Sequence, residues 1–454
     1  MSGTAYLIRG ATLPDGETTD LLVREGRIAE RGAGLSDRGA IPVDAAGLRA
    51  LPGLVDLHTH LREPGFEQSE TVLTGSRAAA AGGFTTVHAM ANTFPVQDTA
   101  GVVEQVAALG AAAGYATVRP VGAVTVGLAG ERLAEIGAMA RSRAAVRVFS
   151  DDGKCVHDAL LMRRALEYVA TFDGVVAQHA QEPRLTEGAQ MNEGALASTL
   201  GLAGWPAVAE EAIIARDVLL AEHVGARLHV CHLSTAGSVD VIRWAKARGI
   251  AVTAEATPHH LLLTEQLIAG DAALDPDAVG HRGYDSRLKV NPPLRRDEDV
   301  RALRAAVADG TIDIVATDHA PHPVESKECA WAEASFGMVG LESALSVVQA
   351  ALVDPGHLDW GDVARVLSRT PAEIGRVPGY DAPFAPGSPA HLTLVDPTAR
   401  RRFGRAQLRG RGVNSPYLGR ELPGRIVATF HAGVATVLDG ELQTLPTPTD
   451  HEVA

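Results

Sequence analysis

Eight short apolar runs punctuate the middle of this chain, near residues 54–60, 84–90, 116–123, 145–150, 174–179, 227–232, 250–256 and 312–317. Longer Ala-rich segments with helical spacing lie between them, such as TVLTGSRAAAA and EEAIIARDVLLAEHV. Eight strands separated by helices predict an α/β protein of the (β/α)8 TIM-like barrel type. The flanks read differently. DLLVREGRIAE alternates apolar and polar around a Gly turn and shows no helical period. PAHLTLVDP and GRIVATFHAGVATVLDGEL read the same way at the other end. Both ends are therefore expected to meet in one small β-sandwich domain. The expected partition is 1–52 and 381–454 for the sandwich and 53–380 for the barrel. A chain of 454 residues accommodates one large domain and one small one.

A barrel enzyme places its chemistry at the C-terminal ends of its strands. Five of the runs end there in a potential metal ligand. The first ends in DLHTHLREPG with His58 and His60, and the fourth, AAVRVFSDDG, in Asp151 and Asp152. The fifth, GVVAQHA, ends at His179, the sixth, RLHVCHLST, at His232, and the eighth, IDIVATDHAPH, at Asp318. Imidazole and carboxylate together suit zinc. Strand side chains alternate faces, so His58 and His60 point the same way and can touch one ion. Alone, such a pair reads more readily as two strand histidines bonded to backbone carbonyls. His179, His232 and Asp318 at equivalent strand ends favour the metal. Four histidines and two carboxylates exceed what one tetrahedral ion takes, and match two ions sharing a bridge.

Composition narrows the partners. The chain carries 41 Lys and Arg against 55 Asp and Glu, a formal charge of −14. That acidity argues against nucleic acid or an anionic membrane as partner. No apolar run approaches the ~18 residues of a membrane helix, and MSGTAYLIRGATLPDGE has no signal-peptide pattern. Cys155, Cys231 and Cys329 are few, odd in number and scattered. They predict no disulfide framework and a reducing, cytoplasmic setting. Lysine is scarce: Lys154, Lys246, Lys289 and Lys327 are the only ones.

Several segments carry a resemblance: DLHTHLREPG, ETVLTGSRAAAAGGFTTV, VCHLST, TAEATPHHLLLT, KVNPPLR, IVATDHAPH and FGMVGLESAL. They resemble the dihydroorotases of the long bacterial type, within the amidohydrolase superfamily. The likeness runs from GLVDLHTH to GSPAHLTLVDP. It implies zinc-dependent, reversible hydrolysis of the cyclic amide of dihydroorotate to N-carbamoyl-aspartate, with ring closure serving pyrimidine synthesis. It implies two zinc ions: His58, His60 and Asp318 on one, His179 and His232 on the other, and Asp152 bridging them. Asp318 would also be the catalytic group, carrying a proton from the attacking water to the leaving nitrogen. Relatives of the dihydropyrimidinase type have a carboxylated lysine at the bridge. The competing candidate is therefore Lys154, but it lies beyond Gly153, where the strand is expected to have ended. Asp152 is the preferred bridge, with Asp151 as a supporting or turn residue.

The substrate carries a carboxylate, which a planar guanidinium grips bidentately. Arg62 shares parity with His58 and His60; its alternative is a surface ion pair with Glu63 or Glu67. The resemblance places Arg62, Asn92 and His322 on the carboxylate, Asn291 on the ring amide, and backbone near Phe336 and Gly337 around the pocket. The chain departs from the family pattern at MANT, which lacks a proline before Asn92, at Gln181 and at His391. His229 and Cys231 are expected to face away from the ligand side of the sixth strand, and His319 away from Asp318's ion. His88 is expected to fill a barrel layer. His259 and His260 are expected to be structural hydrogen bonders.

Two other functions compete. One is a related cyclic amidohydrolase: a dihydropyrimidinase, hydantoinase or allantoinase. The other is a non-catalytic dihydroorotase-like partner of aspartate carbamoyltransferase, which would have lost metal ligands. The expected partners are a small-molecule substrate and further copies of the chain, as a dimer or larger; association with aspartate carbamoyltransferase stays open. HPVESKECAWAEASFG and LDPDAVGHRGYDSR are long enough to act as lids.

Overall fold

The computed structural model describes residues 4–270 and 283–445. The stretch LDPDAVGHRGYDSR lies outside the described residues over 274–282. Each of the eight apolar runs contains a strand. The strands are Leu54–Thr59, Phe84–Ala89, Thr117–Pro120, Val148–Phe149, Val175–Gln178, Leu228–Val230, Val252–Ala256 and Ile314–Val315. Every pairing among them is parallel. The first three make one sheet and the last five another, each in sequence order. Isolated parallel bridges, Gly122 with Phe149 and Thr59 with His319, lie between the two sheets. The His60 N–H reaches His319 O at 2.8 Å, and the Ser150 N–H reaches Gly122 O at 2.9 Å.

Strands that read as continuous Val, Ile and Ala runs are buried on both faces, as parallel strands flanked by helices must be. One apolar cluster lies between sheets and helices; Phe84, Phe149, Ile214, Val230 and Leu345 belong to it. A second fills the interior with Leu57, Val121, Val148, Val175, Cys231 and Ile314. Helices start close behind the strands because their caps stand there. Thr235, three residues after His232, caps Ala236–Ala247 by accepting from the Ser238 N–H. Thr257 caps Pro258–Leu262 in the same way, with proline in the first turn. Gly225 at φ 72° and Gly310 at φ 80° close helices ahead of the sixth and eighth strands.

The two chain ends form one nine-stranded sheet. Leu392–Val395 pairs antiparallel with Arg49–Pro52, which joins the C-terminal strands to the N-terminal ones. Its core includes Ile8, Leu21, Ile28, Leu394 and Phe430. Pro52 then leads directly into the first parallel strand, so the sheet anchors the strand that carries His58. No helix among the described residues is long and apolar enough to cross a membrane.

Candidate active site

Six buried side chains converge beyond the C-terminal ends of the parallel strands, with Asp152 at their centre. Its Oδ1 lies 3.2 Å from His58 Nε2, 3.2 Å from His179 Nδ1 and 3.4 Å from His232 Nε2. Its Oδ2 lies 3.2 Å from His60 Nε2. Asp318 Oδ1 flanks the first pair, 3.1 Å from His60 Nε2 and 3.5 Å from His58 Nε2. Two ligand trios thus share one carboxylate: His58, His60 and Asp152, and Asp152, His179 and His232. Burial pushes the Asp152 and Asp318 carboxyls up, but the surrounding histidines more than reverse this, so both fall below the usual carboxylate range. Lys154 is exposed on the next turn. Asp151 turns away and accepts the Val124 and Thr125 N–H groups at 2.8 and 3.0 Å, pinning the end of the third strand.

The donor set fits metal ions. His58 Nδ1 lies 2.6 Å from Glu255 Oε1, which fixes the proton there and leaves Nε2, buried and without a hydrogen-bond partner, facing Asp152. His60 gives its Nδ1 proton to Asn92 Oδ1 at 2.9 Å, and His179 its Nε2 proton to Gln181 Oε1 at 2.8 Å. Three imidazole nitrogens therefore point at carboxylate oxygens. Burial alone would lower His58 and His179, but those carboxylates outweigh it and push both up, so the cluster draws positive charge, whether protons or a metal cation. Tetrahedral ligands at zinc–nitrogen and zinc–oxygen distances lie about 3.4 Å apart. The separations around Asp152, 3.2–3.4 Å, match that spacing.

Backbone strain aims two of these groups. His232 sits at φ 32° and Asp318 at φ 47°, as does Arg62 at φ 64°. Left-handed conformations in non-glycine residues cost about 1–3 kcal/mol each and persist where packing enforces them. The sixth strand ends at Val230, so alternation does not reach His232. Two expectations fail for that reason. Cys231 does not face outward; it packs in the interior and forms a third close trio with His58 and Glu255. His229 is not remote either, since its Nε2 lies 3.1 Å from Glu255 Oε2. His319 does turn away, accepting the Gly340 N–H at 3.2 Å. His88 bonds Asp56 O at 3.0 Å, and His260 bonds Thr257 Oγ1 and Pro292 O at 2.8 and 3.1 Å.

Glu255 escaped the sequence reading. It accepts from His58, from His229 and from the His232 N–H at 3.1 Å, and so ties the two halves of the site together. Burial alone would raise its carboxyl, but His58 and His229 bring it down to about 2. Carboxylates that orient ligand histidines tune metal affinity. Glu255→Gln is expected to weaken metal retention by about 10- to 100-fold, measured by chelator competition; unchanged retention refutes this role. The only sequence signal was an acid inside the apolar strand Val252–Ala256.

On the substrate side, Arg62 donates Nε–H to Pro321 O at 3.2 Å, with Nη2 3.5 Å from His322 Nε2. Glu63 and Glu67 instead accept backbone N–H groups, of Val72 at 2.7 Å and Gly65 at 2.8 Å. Burial brings the Arg62 guanidinium down to about 10, still a cation at neutral pH. His322 Nε2–H donates to Phe336 O at 2.7 Å, and burial, then Arg62 and Lys327, push its imidazole down to about 3, hence neutral. Asn92 turns its carbonyl to His60, and Asn291 donates Nδ2–H to Gln181 Oε1 at 3.1 Å. The Gly337 N–H and C=O are already bonded, to Lys289 O at 2.8 Å and Lys327 Nζ at 2.9 Å. Gly337 has φ +131°, and an added Cβ would lie 2.7 Å from Ala320 Cβ and 2.9 Å from His322 Nε2. Gly337→Ala is expected to destabilise by about 1–3 kcal/mol and to displace His322. A lowered urea midpoint and a raised KM check this; an unchanged pair refutes it.

Solved structures with this fold include an L-hydantoinase (dihydropyrimidinase) from Arthrobacter aurescens, with TM-score 0.82, 24% identity and 98% of each chain covered. A dihydropyrimidinase from Brevibacillus agri follows at TM-score 0.79 and 22% identity, covering 97% of this chain and 96% of its own. The chain thus shares the fold of these hydantoinase and dihydropyrimidinase structures. Residues 48–238 match the family model described as dihydro-orotase-like. Dihydroorotases of Leifsonia xyli subsp. xyli and Streptomyces coelicolor are 73% and 64% identical, each over 96% or more of this chain and 98% or more of their own. The dihydroorotase of Mycobacterium tuberculosis is 51% identical over 97% of this chain and 100% of its own length. The chain belongs to the dihydroorotase family.

Proposed function

We propose that this chain is a dihydroorotase, opening and closing the cyclic amide of (S)-dihydroorotate, with N-carbamoyl-L-aspartate as the open form. The observation that carries this reading is the Asp152 carboxylate among four histidines, in a chain of the dihydroorotase family. His58, His60 and Asp318 would hold one divalent cation and His179 and His232 the other, with Asp152 reaching both. When bound, two such ions, which we take to be zinc, supply Lewis acidity toward the ring carbonyl and lower the pKa of water. Asp318, ionised and beside His60, takes the proton of the attacking water and delivers it to the leaving ring nitrogen. Arg62, paired with no carboxylate in the contacts described, takes the substrate carboxylate, with Asn92 and His322 on its flanks. Asn291 meets the ring amide beside Phe336 and Gly337.

The scaffold reading is a (β/α)8 barrel over 53–380, with the small domain drawn from 1–52 and 381–454. The bridges Gly122–Phe149 and Thr59–His319, and an interior cluster fed by both sheets, support closure of the two arcs. A cytoplasmic setting rests on the cysteines, which stay unpaired. The working form is read as a homo-oligomer; sizing with and without aspartate carbamoyltransferase decides whether that enzyme joins it. The deciding assay compares dihydroorotate with dihydrouracil, hydantoin and allantoin. Turnover of dihydroorotate at least 100 times faster than the rest supports the proposal; preference for any other substrate overturns it.

A further inference from the structure

A chain of hydrogen bonds runs from a surface turn into the pocket, and each link fixes the direction of the next. The Thr186 hydroxyl donates to Glu182 O at 3.0 Å. Its oxygen is therefore the acceptor for Gln181 Nε2–H at 2.8 Å. That contact sets the orientation of the Gln181 amide, with Oε1 turned inward. Oε1 accepts two protons, from His179 Nε2 at 2.8 Å and from Asn291 Nδ2 at 3.1 Å. Asn291 is thereby held with its NH2 engaged, leaving Oδ1 buried and without a partner. A buried carbonyl oxygen with no partner is costly, and a ligand that brings an N–H removes the cost.

We propose that Gln181 and Thr186 are positioning residues that set the polarity of Asn291, so that the pocket selects a ligand with an N–H at that point. The inference rests on the dihydroorotase reading, in which dihydroorotate supplies two ring N–H groups. The same Gln181 oxygen holds the His179 Nε2 proton outward and turns Nδ1 toward Asp152. One amide therefore aligns a metal ligand and a substrate contact together. Thr186 touches neither, so it isolates the polarity effect from loss of a direct contact. Valine there keeps the shape and removes the acceptor, which frees the Gln181 amide, and with it Asn291, to turn over.

The test measures dihydroorotate turnover, and inhibition by its two methylene analogues, in which each ring N–H in turn is replaced by CH2. Proteins compared are the zinc-loaded wild type, Thr186→Val and Thr186→Ser. Wild type is expected to bind one analogue roughly 10- to 100-fold more weakly than the natural ring, as the loss of one buried hydrogen bond implies. Thr186→Val is expected to lose most of that discrimination, with KM changing at least tenfold more than kcat and two zinc ions retained. Thr186→Ser, which keeps the hydroxyl, is expected to restore it. Full discrimination in Thr186→Val overturns the inference. So does equal loss of kcat, zinc and discrimination, which is what a merely structural role gives. Wild type that never turns over dihydroorotate overturns the functional reading instead, so the two failures are separable.

Discussion

Asp152→Ala is expected to release both ions and to reduce turnover of dihydroorotate by about three orders of magnitude, the several kcal/mol that metal-assisted catalysis supplies. The magnitude follows from its position. Asp152 alone is shared by the two trios of proposed ligands, and it lies within 3.2–3.4 Å of a nitrogen of each of the four histidines. Its loss leaves His179 and His232 without a carboxylate between them, and His58 and His60 with Asp318 alone. Lys154 offers no substitute, since it is exposed on the following turn. Metal content by mass spectrometry and steady-state rates check the prediction together. Two ions per chain with an unchanged rate would remove Asp152 from the centre.

Arg62→Met is expected to act on binding alone. Replacing a guanidinium that grips a carboxylate removes charge-assisted bonds worth about 3 kcal/mol, or on the order of a hundredfold in affinity. Arg62 touches Pro321 and His322 rather than the metal ligands, so both ions should stay. KM should therefore rise by about that factor while zinc content is unchanged. A normal KM, or loss of zinc, would contradict the assignment.

The strands of the parallel core were legible because burial on both faces writes a strand as an uninterrupted apolar run, and all eight runs contain one. The six-residue cluster was legible for a related reason. Histidine or aspartate at the end of an apolar strand stands out, and the parallel fold brings strand ends together. Parity was reliable only inside a strand. It served His58 within Leu54–Thr59, and it failed where His229 and Cys231 were placed relative to His232, because the strand ends at Val230 and the chain turns through a positive φ at His232. Arg62, also at positive φ, lies beyond its strand and reaches the pocket through the turn rather than by alternation. Glu255 left almost no trace, since its partners His58, His229 and His232 come from other strands. The terminal strands were legible in kind, but their union through Leu392–Val395 against Arg49–Pro52 is a long-range pairing that no local pattern encodes.

Chelator-stripped protein titrated with zinc, with dihydroorotate turnover followed in both directions, tests the central claim most directly. The account predicts no turnover in the stripped protein and activity that rises to saturation at two zinc ions per chain. Full turnover without metal, or none in either direction at saturating zinc, would contradict it.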